Sequence, residues 1–135
     1  MLRPITIACI GLLSASLASA GPNELLQSWK GAAKAQSPTF TGFSAERGRA
    51  LYFSKPADWS CSTCHTSDPR SVGRHVVTKK DIKPFSPVAN PARFTDEAKV
   101  EKWFRRNCRD VLQRECTPAE KGDVLTFLLS EGARP

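Results

Sequence analysis

Thioethers and imidazoles are scarce in this chain. Its 135 residues hold one methionine, Met1, and two histidines, His65 and His75. Imidazole chemistry must therefore fall on those two positions, and no thioether is available beyond the extreme N-terminus. Long apolar runs are missing as well: after the first twenty residues nothing approaches the ~20 apolar residues that a membrane-spanning helix needs. There is no internal repeat and no low-complexity tract. Basic residues are spread along the chain and interrupted by Asp and Glu, with no basic run carrying interleaved aromatics, which argues against nucleic acid as a partner. The length fits one domain with one modest core, so any chemistry must come from one site.

What is present begins with an export signature. Arg3 supplies a short positive region, an apolar run extends from Ile5 to Leu17, and Ala18-Ser19-Ala20 offers the small residues that precede a cleavage site. The run is shorter than a spanning helix. Residues 1–20 therefore read as a secretory signal peptide, the mature chain as a periplasmic protein that does not span the membrane, with an uncleaved anchor as the alternative. Cys9 lies inside the apolar run and leaves with it. Four cysteines remain, an even number in an oxidising compartment.

The rest reads as helices and connecting loops, an all-α chain. Pro22 to Ala35 has Leu25, Leu26 and Trp29 on one side of a helix that Gly31 weakens. Ser44 is a plausible N-cap for a helix that Pro56 prevents from running far past Phe53. From Thr66 to Pro91 the chain is rich in Pro, Ser and Lys, a loop able to wrap a cofactor. Thr95, followed by Asp96 and Glu97, starts another helix. Thr117-Pro118-Ala119-Glu120 starts a terminal one, with proline at the first helical position and a glutamate placed for a capping box. The expected division is a helical extension over residues 21–43 and a single domain over 44–135.

Cys61-Ser62-Thr63-Cys64-His65 carries the chemistry. Two thiols three positions apart can add to the two vinyl groups on one edge of a haem, and the next residue places an imidazole under the iron. Cys61 and Cys64 are thus expected to hold one covalent haem c, with His65 as proximal iron ligand. A redox dithiol would need a βαβ surround, which the chain lacks; a zinc site would need two further ligands, for which Cys108 and Cys116 are the candidates. The export signal and the adjoining His65 favour haem.

The second iron ligand is left open by composition. Methionine leaves with the signal, so His75, a lysine, a thiolate, a weak oxygen donor such as Asn, or no ligand at all remain. His75 is only ten residues from His65 and would have to carry its loop around the haem edge; its other role is a surface or propionate-contacting residue. Cys108 and Cys116 would lie ~12 Å apart on one continuous helix, too far for a disulfide, so a pairing requires the helix to turn between them.

Lys102-Trp103-Phe104-Arg105-Arg106-Asn107-Cys108, Glu115-Cys116-Thr117-Pro118 and Asn90-Pro91-Ala92-Arg93-Phe94-Thr95-Asp96 together resemble a known group. It is the sphaeroides haem protein family of oxygen-binding monohaem cytochromes c, also described as a domain of unknown function. The resemblance covers roughly Ala45 to Leu128. It implies that Asn107 is a weak distal iron ligand, that Cys108 and Cys116 form a disulfide, and that Asn107 leaves the iron on reduction, admitting oxygen or nitric oxide. It also implies a dihaem cytochrome c, linked to a membrane cytochrome b, as electron donor. Gly48, Leu51 and Tyr52 with Leu125 and Leu128 resemble the crossing terminal helices of class I cytochromes c.

Three functions follow as expectations: a ligand-binding redox protein, a plain electron carrier with permanently six-coordinate haem, and an enzyme reducing oxygen, peroxide or a nitrogen oxide. The formal charge of +7 reads as a solvated basic surface or as a docking face for an acidic redox partner. Arg93, Arg105 and Arg106 are candidates for pairing with haem propionates, beside their ordinary reading as surface charge.

Overall fold

A computed structural model describes residues 21–133, so the expected signal segment lies outside the described residues. Helix α1 spans Pro22–Gln36, and Glu24 reaches back to accept from the Gly21 amide at 2.9 Å. Leu25, Trp29 and Ala33, four residues apart, form its buried stripe. Gly31 falls on the exposed side, so burial of that stripe outweighs the ~1 kcal/mol a helical glycine costs.

Helix α2 spans Ala45–Phe53 and starts as expected at Ser44, whose hydroxyl accepts from the Arg47 amide at 3.2 Å. Helix α5, Pro118–Ser130, opens with the reciprocal Thr117/Glu120 box, each side chain accepting from the other residue's amide. These two helices cross at Gly48, where a Cβ atom would overlap the Asp123 carbonyl. Beside the crossing, Asp123 is buried and accepts from Arg47 Nε at 2.7 Å and from the Ser44 amide at 2.7 Å. One carboxylate thus ties the start of α2 to α5. Leu25, Trp29, Tyr52, Phe94, Val124, Leu125, Phe127 and Leu128 build the core where α1 and α2 pack on α5.

Helix α4, Glu97–Leu112, begins one residue later than the sequence suggests. Asp96 is the cap and accepts from the Lys99 amide at 3.0 Å, while the Thr95 hydroxyl turns back to the Ala92 carbonyl at 2.9 Å. Gln113 adopts φ 58°, the left-handed conformation that ends the helix. That turn brings Cys108 and Cys116 to a Cα separation of 5.6 Å, and the disulfide is formed.

Between α2 and α4 lie the one-turn helix α3, Cys61–His65, and a long loop. The loop contains a small antiparallel ladder that its proline content did not suggest: β1, Gly73–Arg74, pairs with β2, Asp81–Ile82. Mutual hydrogen bonds of 2.9 Å between His75 and the Lys79–Lys80 segment close the hairpin. Among the described residues, no helix is long and apolar enough to cross a membrane.

Candidate haem site

The chain folds around a cavity of about 620 Å³, within the range usual for cofactor pockets. Cys61, Cys64 and His65 line one part of it, and Val100, Trp103 and Asn107 of α4 another. The short helix α3 is an unlikely element on propensity alone, so its neighbours must hold it. Ser60 caps it, accepting from the Thr63 amide at 3.2 Å while its own amide donates to Thr63 Oγ1 at 2.9 Å. At the other end the Tyr52 hydroxyl donates to the carbonyls of His65 at 3.0 Å and Thr66 at 2.7 Å. Burial, with the nearby Cys61 adding to it, holds the Tyr52 phenol above its usual range, so it remains a donor. Thr66 takes φ 65°, an outlier for a β-branched residue, immediately after the histidine. Strand β1 closes the turn from outside: a Cβ at Gly73 would overlap the Cys64 carbonyl.

The His65 ring stacks on Phe85 with centroids 4.3 Å apart and planes 21° from parallel. Burial, and secondarily the Arg93 charge, lowers its pKa to about 4, which keeps the imidazole neutral and able to donate a lone pair to a metal. Burial likewise pushes the Cys61 thiol up to about 11, against a favourable backbone hydrogen bond and reinforced by the Cys64 charge. Such a thiol is no free-standing redox nucleophile. Its surroundings suit an uncharged thioether. The zinc alternative loses its ligands, because Cys108 and Cys116 are joined to one another. No cluster of three or more His, Cys, Asp or Glu able to hold a metal occurs among the described residues.

Arg93 is half-buried at the cavity wall, donates to the carbonyls of Lys83 at 2.8 Å and Pro84 at 3.1 Å, and lies over the Phe85 ring. Its pKa is lowered by burial. A half-buried guanidinium beside the cavity is a fitting partner for a propionate. Asn107 is exposed to the cavity and its amide makes no hydrogen bond to any described residue. Trp103 is 44% exposed and carries Arg106 over its ring at 5.2 Å. His75 also lines the cavity, with Nδ1 accepting from the amides of Val77 and Thr78 at 3.2 Å.

Residues 38–128 match the family described as a domain of unknown function, DUF1924. The chain belongs to this family. Among its relatives are the cytochrome c-type protein SHP of Cereibacter sphaeroides, 44% identical over 115 residues, 82% of this chain and 84% of that one. Cytochrome c'' of Methylophilus methylotrophus is 34% identical over 133 residues, 93% of this chain and 92% of that one. The structure of oxidized SHP, an oxygen binding cytochrome c, superposes with a TM-score of 0.72 at 43% identity, over 82% of this chain and 96% of that one. Oxidized cytochrome c'' gives 0.72 at 33% identity, over 81% and 93%. This DUF1924 chain is thus a cytochrome c-type protein with the helical class I cytochrome c-like fold and one covalently bound haem c.

Two features of the DUF1924 site escaped the sequence. Phe85 stacks on His65 from twenty residues downstream, and Gly73 lies against Cys64 from within a Ser- and Arg-rich loop; neither position carries a local signal. Tyr52 was legible only as packing, although a buried phenol always needs a partner and could have been traced on that ground.

Proposed function

We propose that Cys61 and Cys64 bind the haem through thioethers, that His65 is its proximal ligand, and that Asn107 is a weak sixth ligand to ferric iron which withdraws on reduction. The haem supplies a one-electron change and a coordination position. Asn107 supplies the gate: a neutral amide oxygen is a hard donor, tolerated by ferric iron and poorly matched to the softer ferrous state. Its withdrawal opens the cavity to a small diatomic ligand, oxygen or nitric oxide. The observation that carries this reading is Asn107 itself, lining the cavity with no hydrogen-bond partner among the described residues, while the residue beside it is locked by the Cys108–Cys116 disulfide to the turn that leads into α5. Oxygen binding by SHP supports it, as does a solution structure of cytochrome c'' concerned with haem-ligand detachment. The proposed setting is the periplasm, with an acidic electron donor, a dihaem cytochrome c or a membrane cytochrome b, docking on the basic surface.

The test is the absorption spectrum of the oxidised and the reduced protein, before and after carbon monoxide, for wild type, Asn107→Ala and His75→Ala. We expect a ferric haem that is six-coordinate in wild type and loses its sixth ligand in Asn107→Ala, with a change in the charge-transfer bands, and a high-spin ferrous haem that shifts at once with carbon monoxide. Sharp low-spin ferrous bands that ignore carbon monoxide and depend on His75 would replace this reading with a plain electron carrier.

A further inference from the structure

Helix α4 carries Asn107, yet the core is built from α1, α2 and α5, and α4 is held to it by side chains. Beyond the disulfide, the anchor is a cluster around Glu101. Trp29 Nε1 of α1 donates to Glu101 Oε1 at 2.6 Å, and Lys121 Nζ of α5 donates to Glu101 Oε2 at 2.6 Å. The Trp29 ring meets Phe104 edge-on at 5.5 Å, and Lys121 Nζ lies 5.9 Å from the centre of that same ring. One turn earlier, the Ser28 hydroxyl donates to Glu97 at 3.3 Å. Trp29 is 3% exposed. Burial alone would raise the Glu101 pKa, but the hydrogen bonds from Lys121 and Trp29 outweigh it and hold the carboxylate charged.

Glu97, Glu101, Phe104 and Cys108 follow helical spacing and form the stripe of α4 that faces α1 and α5. Val100, Trp103 and Asn107 form the neighbouring stripe, which lines the cavity together with Phe104 and Cys108 at its border. Fixing the first stripe fixes the rotation of the second. Asn107 lies ~9 Å along the helix from Glu101. It is therefore bracketed by the Glu101 cluster on one side and the disulfide on the other. Helix α1, at Pro22–Gln36, precedes the family-matched segment 38–128.

We propose that Trp29 is a positioning residue for Asn107: through Glu101 and Phe104, α1 sets the rotation of α4 that lets the amide reach ferric iron. This rests on the proposed ligation by Asn107. The clamp spans three helices with two charge-assisted hydrogen bonds on one carboxylate, geometry that defines orientation more sharply than apolar packing does. Loosening it lets α4 turn about its axis, and the weakest ligation in the site responds first.

The test compares Trp29→Phe, which keeps the ring and removes the N–H, with Glu101→Gln, which removes the charge facing Lys121 and keeps an acceptor for Trp29. Both are made in wild type and in Asn107→Ala holoprotein, with five-coordinate ferric content read by resonance Raman spectroscopy and the reduction potential by titration. Trp29→Phe should weaken ferric ligation by about threefold to tenfold, the span expected along a coupled network. The potential should rise in step, by about 59 mV for a tenfold loss of a ligand held only in the ferric state. In the Asn107→Ala background the same change should have no effect. An unchanged ferric coordination state and potential in both clamp variants overturns the positioning role, as does a shift that survives undiminished without Asn107. If Asn107→Ala alone leaves the ferric spectrum unchanged, it is the ligand assignment that fails.

Discussion

At the scale of single residues, the site depends on groups that never reach the cofactor. Tyr52 is buried and its hydroxyl satisfies two carbonyls at the point where the backbone leaves α3. Removing that hydroxyl leaves both acceptors short of a donor at a part-buried location, which costs about 1–3 kcal/mol. Tyr52→Phe holoprotein should therefore lose stability in that range by denaturant unfolding while keeping its haem, because the thiols and His65 are untouched. A loss below about 0.5 kcal/mol, the scale of ordinary surface changes, would show that the phenol does not brace the motif. Thr66 adds to the case: with φ 65° directly after His65, it holds a conformation that the Tyr52 hydrogen bond to its carbonyl helps to maintain.

At the scale of elements, the starts of α2 and α5 were legible in advance. Ser44 starts α2 and Thr117 starts α5 because each offers a hydroxyl to an amide three residues on, a purely local relation. The close crossing at Gly48 was legible too, since only a small residue allows that approach. The β1/β2 ladder was not: two-residue strands leave no periodicity, and Gly73 is there because of Cys64, not because of its own neighbours. The Trp29–Glu101 contact joins residues 72 apart and leaves no trace in either local pattern. The α4–α5 connection lies between these cases. The cysteine spacing demanded a turn, and Gln113 provides it. Replacing Cys108 and Cys116 together by Ser should lower stability by roughly 2–3 kcal/mol, the model-dependent value for so short a closed loop. Calorimetry or denaturant titration of the double variant measures it, and no change would mean that the turn stands without its crosslink. Because the crosslink adjoins Asn107, the same variant should also show more five-coordinate ferric haem.

At the scale of the whole molecule, three helices converge on α5 through carboxylates: Asp123 ties α2, Glu101 brings α1 and α4 to Lys121, and Glu120 closes the turn between α4 and α5. Glu120 accepts from Arg114 at 2.7 and 2.8 Å and from the Thr117 amide at 2.8 Å. The Arg114 hydrogen bonds, against partial burial, hold its carboxyl below the ordinary range, and Glu101 is likewise held low. A carboxyl whose pKa is depressed by folding binds its proton more weakly in the native state than in the unfolded chain. Its stabilisation is therefore complete above the unfolded value of about 4.3 and is lost as pH falls through the lower, folded one. Acidification also adds positive charge to a chain already at +7, so self-repulsion acts in the same direction. The thermal midpoint should thus be flat above about pH 5 and decline below it. Glu120→Gln should start lower at neutral pH and decline less steeply, since one of the linked protons is gone. An identical acid slope in wild type and Glu120→Gln would show that this carboxylate is not among the groups that couple the packing of α4 and α5 to pH.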